Sequence, residues 1–304
     1  MAVLGEQSVQ DWDEARFVLN SRGRSLDCRP GQVAQVMGIL NVTPDSFSDG
    51  GQFLACDAAL RQVEQMVAEG AAVVDVGGES SRPKGSVYGK GAAAVSADEE
   101  KRRVLPVIEA IATRFPDLFI SVDTYKPAVA AAALEAGAHV INDITGLRIF
   151  PETAAVAAQF NAPLVVMHSL GQPGAMPHEH HYDDVVEAVA ASLQDSIHIA
   201  EAAGVQQLVV DPGFGFGKSV SENLQLIAQT DRFLQLGYPV LVGISRKSTI
   251  GAVLGSVEQP LPIGDRLFGT LGATATAVLR GASIVRTHDV RPTVDLLKLL
   301  AATA

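Results

Sequence analysis

Seven polar side chains stand at or just past the ends of short apolar runs in this chain: Asn41, Asp123, Asn142, Asp211, Lys247, Arg286 and His288. With their neighbours they fall into two chemical sets. Asp123, Asn142 and Asp211 are acceptors or two-way amides, suited to a flat heterocycle that offers paired N–H donors and carbonyls. Ser81, Arg82, Lys247, Ser248, Arg286 and His288 are cations and hydroxyls, suited to a phosphate or diphosphate whose charge Mg²⁺ would help to neutralise. The substrate inferred from these residues is a polar heterocycle bearing a diphosphate. A single polar residue after a strand is often only a helix cap. A polar residue at the end of every such run is much harder to explain by capping.

The runs that must position these groups cover residues 36–40, 72–76, 118–122, 139–141, 164–167, 208–210, 239–242 and 283–285. Helical patterns lie between and after them, near 57–69, 98–114, 127–136, 151–160, 183–203, 219–236, 265–280 and 292–303. Eight strand–helix units in this length predict an α/β fold, a single closed (β/α)8 TIM barrel, in which chemistry collects at the C-terminal strand ends. A short hairpin over 16–27 precedes it and is expected to close the barrel bottom. The organisation expected is an N-terminal extension over 1–15, then one domain over 16–304.

The first strand end is the sharpest. From Met37 the sequence runs Met-Gly-Ile-Leu-Asn-Val-Thr-Pro-Asp-Ser-Phe-Ser-Asp-Gly-Gly, an apolar strand that turns at Asn41 into small and polar residues. That is the pattern of a rigid strand handing over to a mobile loop at a site rim. In a closed barrel the last strand lies beside the first, so Arg286 and His288 should adjoin Asn41.

Composition narrows the classes. With 47% hydrophobic and 19% charged residues the chain can bury a substantial core. A formal charge of −11 argues against nucleic acid or an anionic membrane as partner. A locally cationic patch can still hold a small anion, because screening acts over about 8 Å. Two cysteines, Cys28 and Cys56, are too few for a disulfide framework. No basic segment followed by an apolar core opens the sequence and no window is apolar enough to span a membrane, so a cytoplasmic location is expected.

Two local patterns invite other chemistry. Gly217-Lys218-Ser219 resembles the end of a Walker A loop, but Pro212 stands where that motif needs its first glycine. His178-Glu179-His180-His181 lacks the His-x-x-x-His spacing of a helical zinc site and reads as an exposed loop.

Over nearly the whole chain from Phe17, the sequence strongly resembles the dihydropteroate synthase family of pterin-binding enzymes. The resemblance is carried by the loop from Asn41 to Gly51, Gly77-Gly78-Glu79-Ser80-Ser81-Arg82-Pro83, Ser121-Val122-Asp123-Thr124 and Ile141-Asn142-Asp143-Ile144. Further matches are Asp211 to Lys218, Ser245-Arg246-Lys247-Ser248 and Val285-Arg286-Thr287-His288-Asp289. It implies a transferase of folate biosynthesis that condenses p-aminobenzoate with 6-hydroxymethyl-7,8-dihydropterin diphosphate and is a target of sulfonamides. By matching positions, Asp123, Asn142, Met167, Asp211, Phe216 and Lys247 would hold the pterin. Ser81, Arg82, Arg286 and His288 would hold the diphosphate, and Asn41 would ligate its Mg²⁺. Phe47, Pro83, Lys247 and Ser248 would shape the p-aminobenzoate pocket. A homodimer is implied too, with the helix over 265–280 as its candidate interface.

Three departures from the family pattern stand out. Ser81 replaces the usual Thr, Lys84 to Gly91 lengthens the second loop, and the segment Ser169 to Pro177 is altered. The alternatives weighed are a corrinoid-linked methyltetrahydrofolate methyltransferase, which has no use for a diphosphate site, and a pterin-binding homologue with little synthase activity.

Overall fold

The structure, a computed structural model, describes residues 13–42, 51–80, 95–171 and 181–303, with 51–55 given by backbone alone. A 3-10 turn, Glu14–Phe17, leads into an antiparallel hairpin of β1 (Val18–Ser21) and β2 (Arg24–Asp27). Eight parallel strands follow: β3 (Gln35–Asn41), β4 (Val73–Gly77), β5 (Phe119–Asp123), β6 (Val140–Asp143), β7 (Leu164–Met167), β8 (Leu208–Asp211), β9 (Val240–Val242) and β10 (Ala282–Thr287). They pair in sequence order and β10 closes on β3, as the TIM-barrel reading expected.

The helices around this barrel are α1 (Gly51–Glu69), α2 (Ala97–Arg114), α3 (Pro127–Glu135), α4 (Glu152–Gln159), α5 (Val185–Ala202), α6 (Val220–Ala228), α7 (Thr230–Leu234), α8 (Ser248–Leu254), α9 (Leu267–Leu279) and α10 (Val290–Ala302). Several starts are written in the sequence. Ser96 caps α2 by accepting from Glu99 N, Asp184 caps α5, and Ser219 with Glu222 forms a reciprocal capping box on α6.

Two differences from the sequence reading have local causes. The helix expected over 219–236 is two helices, because Gln229 leaves helical geometry and buried Thr230 turns its hydroxyl back to the Leu226 and Ile227 carbonyls. The short helix α8 was not expected, since Thr249, Ile250, Gly251 and Val253 are weak helix formers. It lies directly after Lys247 and packs on α9.

Strand side chains alternate between two faces, so one parity of each strand lines the barrel interior. At the bottom that parity is apolar on every strand: Met37, Val73, Phe119, Val140, Val165, Val209, Leu241 and Ile284 form one cluster with Leu19, Leu26 and Cys28 of the hairpin region. The hairpin is therefore a plug, each large apolar side chain contributing about 1.5–3 kcal/mol on burial. Two or four residues further along the same strands and the same parity come Asn41, Asp75, Asp123, Asn142, Met167, Asp211 and Arg286. The interior thus changes from oil to charge over one or two pleats.

His139 marks the bottom. It is buried, its Nδ1 accepts from Ile120 N at 3.1 Å, and Arg24 Nη1 lies 3.2 Å from Nε2. Burial, then Arg24 and Arg22, push its pKa down to about 4. The neutral ring therefore contributes stability that is present above the usual pKa near 6.5 and is lost as pH falls through 4. Thermal melts should show this acid limb between pH 6.5 and 4.5, worth about 2 kcal/mol, and His139→Gln should flatten it.

Candidate active site

Across four neighbouring strands the backbone register aligns Asn41 with Gly77, Gly77 with Asp123, and Asp123 with Asn142. Gly77 is the gap in this row. A Cβ there would sit 3.5 Å from the Asp123 Cβ and 3.8 Å from Asn41 Oδ1, filling the space between the two side chains. Beneath the row lies Asp75, fully buried on β4. Arg286 reaches in from β10, donating from Nε to Asp75 Oδ2 at 2.7 Å and from Nη2 to Asp123 Oδ2 at 2.9 Å. Asn142 Nδ2 also donates to Asp75 Oδ2, at 3.0 Å, which turns its carbonyl oxygen away from that carboxylate. Burial pushes Asp123 up to about 7; Arg286 works against that shift and Asp75 adds to it.

The opposite wall is built by β7, β8 and the segment after β9. Met167 and Asp211 are register partners on adjacent strands. Asp211 Oδ1 accepts from Gly213 N at 2.7 Å, and burial raises its pKa against the pull of that N–H and of Lys247. Gly213 and Gly215 both have positive φ, and both are crowded. A Cβ on Gly213 would overlap the His168 carbonyl oxygen at 1.8 Å, and one on Gly215 would meet Lys247 Cδ at 2.6 Å. Only glycine fits such backbone conformations without strain.

Lys247 enters this wall from a kink. Arg246 has φ of 58°, a left-handed conformation costing about 1 kcal/mol in a residue with a Cβ. It is held there by Asp289 at 3.0 Å, by Thr270 Oγ1 at 3.1 Å and by Arg266 Nη1 on its carbonyl at 2.9 Å. The kink aims Lys247 at the Phe214 carbonyl and lays its ammonium 4.0 Å from the centre of the Phe216 ring. Burial lowers Lys247 to about 7, with Asp211 opposing. A lysine so poised donates readily to a ligand carbonyl or ring nitrogen.

His288 lies beside Ser245. The His288 backbone N–H donates to Ser245 Oγ at 3.1 Å, and the same hydroxyl lies 3.0 Å from His288 Nδ1, holding the ring in place. Partial withdrawal from water, with Arg286 and Arg246 nearby, holds His288 down at about 4, so the ring is neutral near pH 7.

The structure therefore brings together Asn41, Asp123, Asn142, Met167, Asp211, Phe216, Lys247, Arg286 and His288 at one barrel mouth, with Ser248 opening α8 beside Lys247. Phe47, Ser81, Arg82 and Pro83 lie outside the described residues, as does the lengthened segment Lys84 to Gly91. The Walker-like Lys218 binds no loop for phosphate. It is half-buried and donates to the carbonyls of Gly213 at 2.8 Å and Phe216 at 3.0 Å, lacing the loop after β8 together. Asn223 completes the lacing, accepting from Gly215 N at 2.6 Å and donating to Thr249 Oγ1 at 3.1 Å. His181 is exposed, and no cluster of three metal-ligating side chains occurs among the described residues.

The sequence reading gave no task to Asp75 or Ser245. Strand parity was the signal for Asp75: it stands two residues past the plug residue Val73 and must point inward. Asp143, next to Asn142, has the opposite parity and serves a turn, accepting from Thr145 N at 2.8 Å and Leu147 N at 2.9 Å.

An eight-stranded parallel barrel whose mouth sets acceptors and cations together on both walls defines a TIM-barrel enzyme for a polar, anionic heterocycle. A family profile described as "Pterin binding enzyme" matches residues 37–288. The dihydropteroate synthase of Haemophilus influenzae is 46% identical over 279 residues, covering 91% of this chain and 96% of that protein. The solved structure of Xanthomonas albilineans dihydropteroate synthase with 4-aminobenzoic acid superposes with a TM-score of 0.83 at 44% identity, covering 94% of this chain and 98% of that one. The same enzyme in complex with 7,8-dihydropteroate gives 0.79 at 41% identity, over the same shares of the two chains. This chain belongs to the pterin binding enzyme family.

The crowded glycines give a direct check of the loop geometry. Gly215→Ala should cost about 1–2 kcal/mol in urea unfolding, from left-handed strain and the clash with Lys247. Gly272→Ala, mid-helix with nothing within 4 Å of its added methyl, should be neutral or stabilising by about 0.5–1 kcal/mol.

Proposed function

We propose that this chain is a dihydropteroate synthase, which condenses 6-hydroxymethyl-7,8-dihydropterin diphosphate with p-aminobenzoate to give 7,8-dihydropteroate and pyrophosphate. The observation that carries this reading is the set of groups gathered at the mouth. Acceptors Asp123, Asn142 and Asp211 stand with Lys247, while Arg286, paired with Asp75 and Asp123, and the exposed His288 make up a cationic and N–H-donating rim. A methyltransferase of the same fold has no task for that cationic rim.

The pterin edge presents N–H groups and a carbonyl, matching carboxylate, amide and ammonium in turn. Met167 and Phe216 pack its faces, the latter already in contact with Lys247. In the reaction the methylene carbon–oxygen bond to diphosphate breaks, the aniline nitrogen bonds to that carbon, and the nitrogen releases one proton. Little acid–base work is demanded. Arg286 and His288 stabilise the charge that builds on the departing diphosphate, and the fixed grip on the pterin directs its methylene to the second substrate. Ser248 and Lys247, with Phe47 and Pro83, form the p-aminobenzoate side, the place a sulfonamide would take. Ser81 and Arg82 complete the diphosphate site.

Asn41 is suited to a magnesium ion carried in on the diphosphate rather than caged by protein. It offers one amide oxygen on an exposed rim, and Mg²⁺ commonly takes one or two protein oxygens together with substrate phosphates. Bound there, the ion would neutralise the leaving group. A cytoplasmic homodimer completes the reading. No helix of the described residues is long and apolar enough to cross a membrane. Around α8 and α9 the large apolar side chains Phe268, Val257 and Leu279 are 82%, 70% and 58% exposed, which supports a second copy of the chain as their cover.

The purified protein, given pterin diphosphate, p-aminobenzoate and Mg²⁺, should release pyrophosphate only when the aminobenzoate is present. No release over a range of conditions would refute the synthase reading. Asp123→Asn should weaken pterin binding about 10- to 100-fold by calorimetry, because an amide then presents a donor to a donor; unchanged affinity would remove Asp123 from that role. In sedimentation the wild type should run as a dimer and Phe268→Glu as a monomer.

A further inference from the structure

Asp75 has no substrate to hold in the reading above, yet two residues of the site converge on it. Its side chain is fully buried inside the barrel. Oδ2 accepts from Arg286 Nε at 2.7 Å and from Asn142 Nδ2 at 3.0 Å, while Oδ1 has no hydrogen-bond partner among the described residues. A buried carboxylate oxygen left unpaired is costly and rare, and asks for a reason.

The reason lies in how Arg286 divides its donors. Nε goes to Asp75 and Nη2 goes to Asp123 Oδ2, at 2.9 Å, so one guanidinium is shared by two carboxylates. The two carboxyl groups draw Arg286 down into the barrel, which does not suit an arriving diphosphate. A heterocycle that brings N–H donors to Asp123 competes with Nη2 for the same lone pairs. Once Nη2 lets go, Asp75 Oδ1 is the open acceptor on the carboxylate that already holds Nε. Nε and Nη2 can then grip Asp75 side-on through both oxygens, the strongest guanidinium–carboxylate geometry. Nη1 is left for an anion at the rim.

We propose that Asp75 is a positioning residue on which Arg286 pivots. Pterin binding at Asp123 releases one arm of the guanidinium, Asp75 keeps the other, and Arg286 is presented to the diphosphate only when the heterocycle is in place. The inference rests on the pterin and diphosphate assignments made above. It adds that the two half-sites are coupled, through a residue that touches neither ligand. Coupling of this kind is reciprocal: whatever factor the pterin adds to diphosphate affinity, diphosphate adds to pterin affinity.

The test uses two fragments on the full chain, 6-hydroxymethylpterin and inorganic pyrophosphate with Mg²⁺, in calorimetry. Pyrophosphate should bind on the order of 10-fold tighter when the pterin is saturating, and the pterin should gain equally from pyrophosphate. In Asp75→Asn, which keeps the shape and removes the charge, that factor should fall to near one while the pterin alone still binds. Equal pyrophosphate affinity with and without pterin in the wild type would overturn the proposal, and so would full coupling in the variant. Should Asp75→Asn fail to fold, Arg286→Lys replaces it. A lysine offers a point charge that cannot bridge two carboxylates, so coupling must again be lost, and its survival would overturn the pivot. If neither fragment binds the wild type, the synthase reading itself fails; if both bind independently, only the pivot does.

Discussion

A positive charge inside a barrel is the constraint around which this structure is arranged. Arg286 projects inward from the last strand, where water cannot reach all of it, and an unpaired guanidinium there would be untenable. Asp75 and Asp123 meet it from the second and third strands, so the ion network ties together the two ends of the chain's eight-strand order. Such networks contribute little net stability once desolvation is counted, and their loss on one side is costly. The network's presence is therefore better explained by what it holds than by what it stabilises. It holds Asn142 by the amide and Asp123 by one oxygen, and so fixes the acceptor edge of the site before any ligand arrives.

The other wall reaches the same rigidity mainly through main-chain contacts, with Arg246–Asp289 as its ion pair. Lys218 and Asn223 tie the glycine loop after β8 to itself and to the start of α8 through carbonyls and amides. Arg246 is kept in a left-handed kink by three partners, one of them the buried Arg266. Glycine at 213 and 215 lets backbone and the Lys247 stem pass within contact distance. The aromatic face of Phe216 and the ammonium of Lys247 are thus positioned by packing of main chain, a cheaper way to place one cation than burying a second carboxylate against it.

Much of this could be read in the sequence because a barrel obeys simple rules. Eight apolar runs, each ending in a polar residue, were enough to find the strands, the closure and the mouth. The family resemblance then assigned roles to Asn41, Asp123, Asn142, Asp211, Lys247, Arg286 and His288, and the structure gathers them on one face. What stayed hidden was the second layer. Asp75 bears no local mark of its role, and only the two-residue parity separates it, pointing inward, from Asp143, which serves a turn. Pro212 breaks the motif that would make Lys218 a phosphate ligand, but what the lysine does instead could not be read along the chain: its three nearest acceptors are carbonyls brought close by positive φ at glycines. The break at Gln229 and the short α8 escaped because local propensity is weak there and tertiary packing decides.

The change from apolar to polar along the inward parity of the strands separates two duties within one fold. At the bottom, Leu19, Leu26 and Cys28 seal the barrel against residues of every strand, and the buried thiol of Cys28, pushed up to about 12 by burial, is chemically silent there. At the top, the same strands end in groups that are expensive to bury and are useful for that reason. A charge held in a low-dielectric mouth by fixed partners interacts more strongly with a ligand than it would in water. That strength requires the floor to be dry and unyielding, so the hairpin that never approaches a substrate is part of why the site can work.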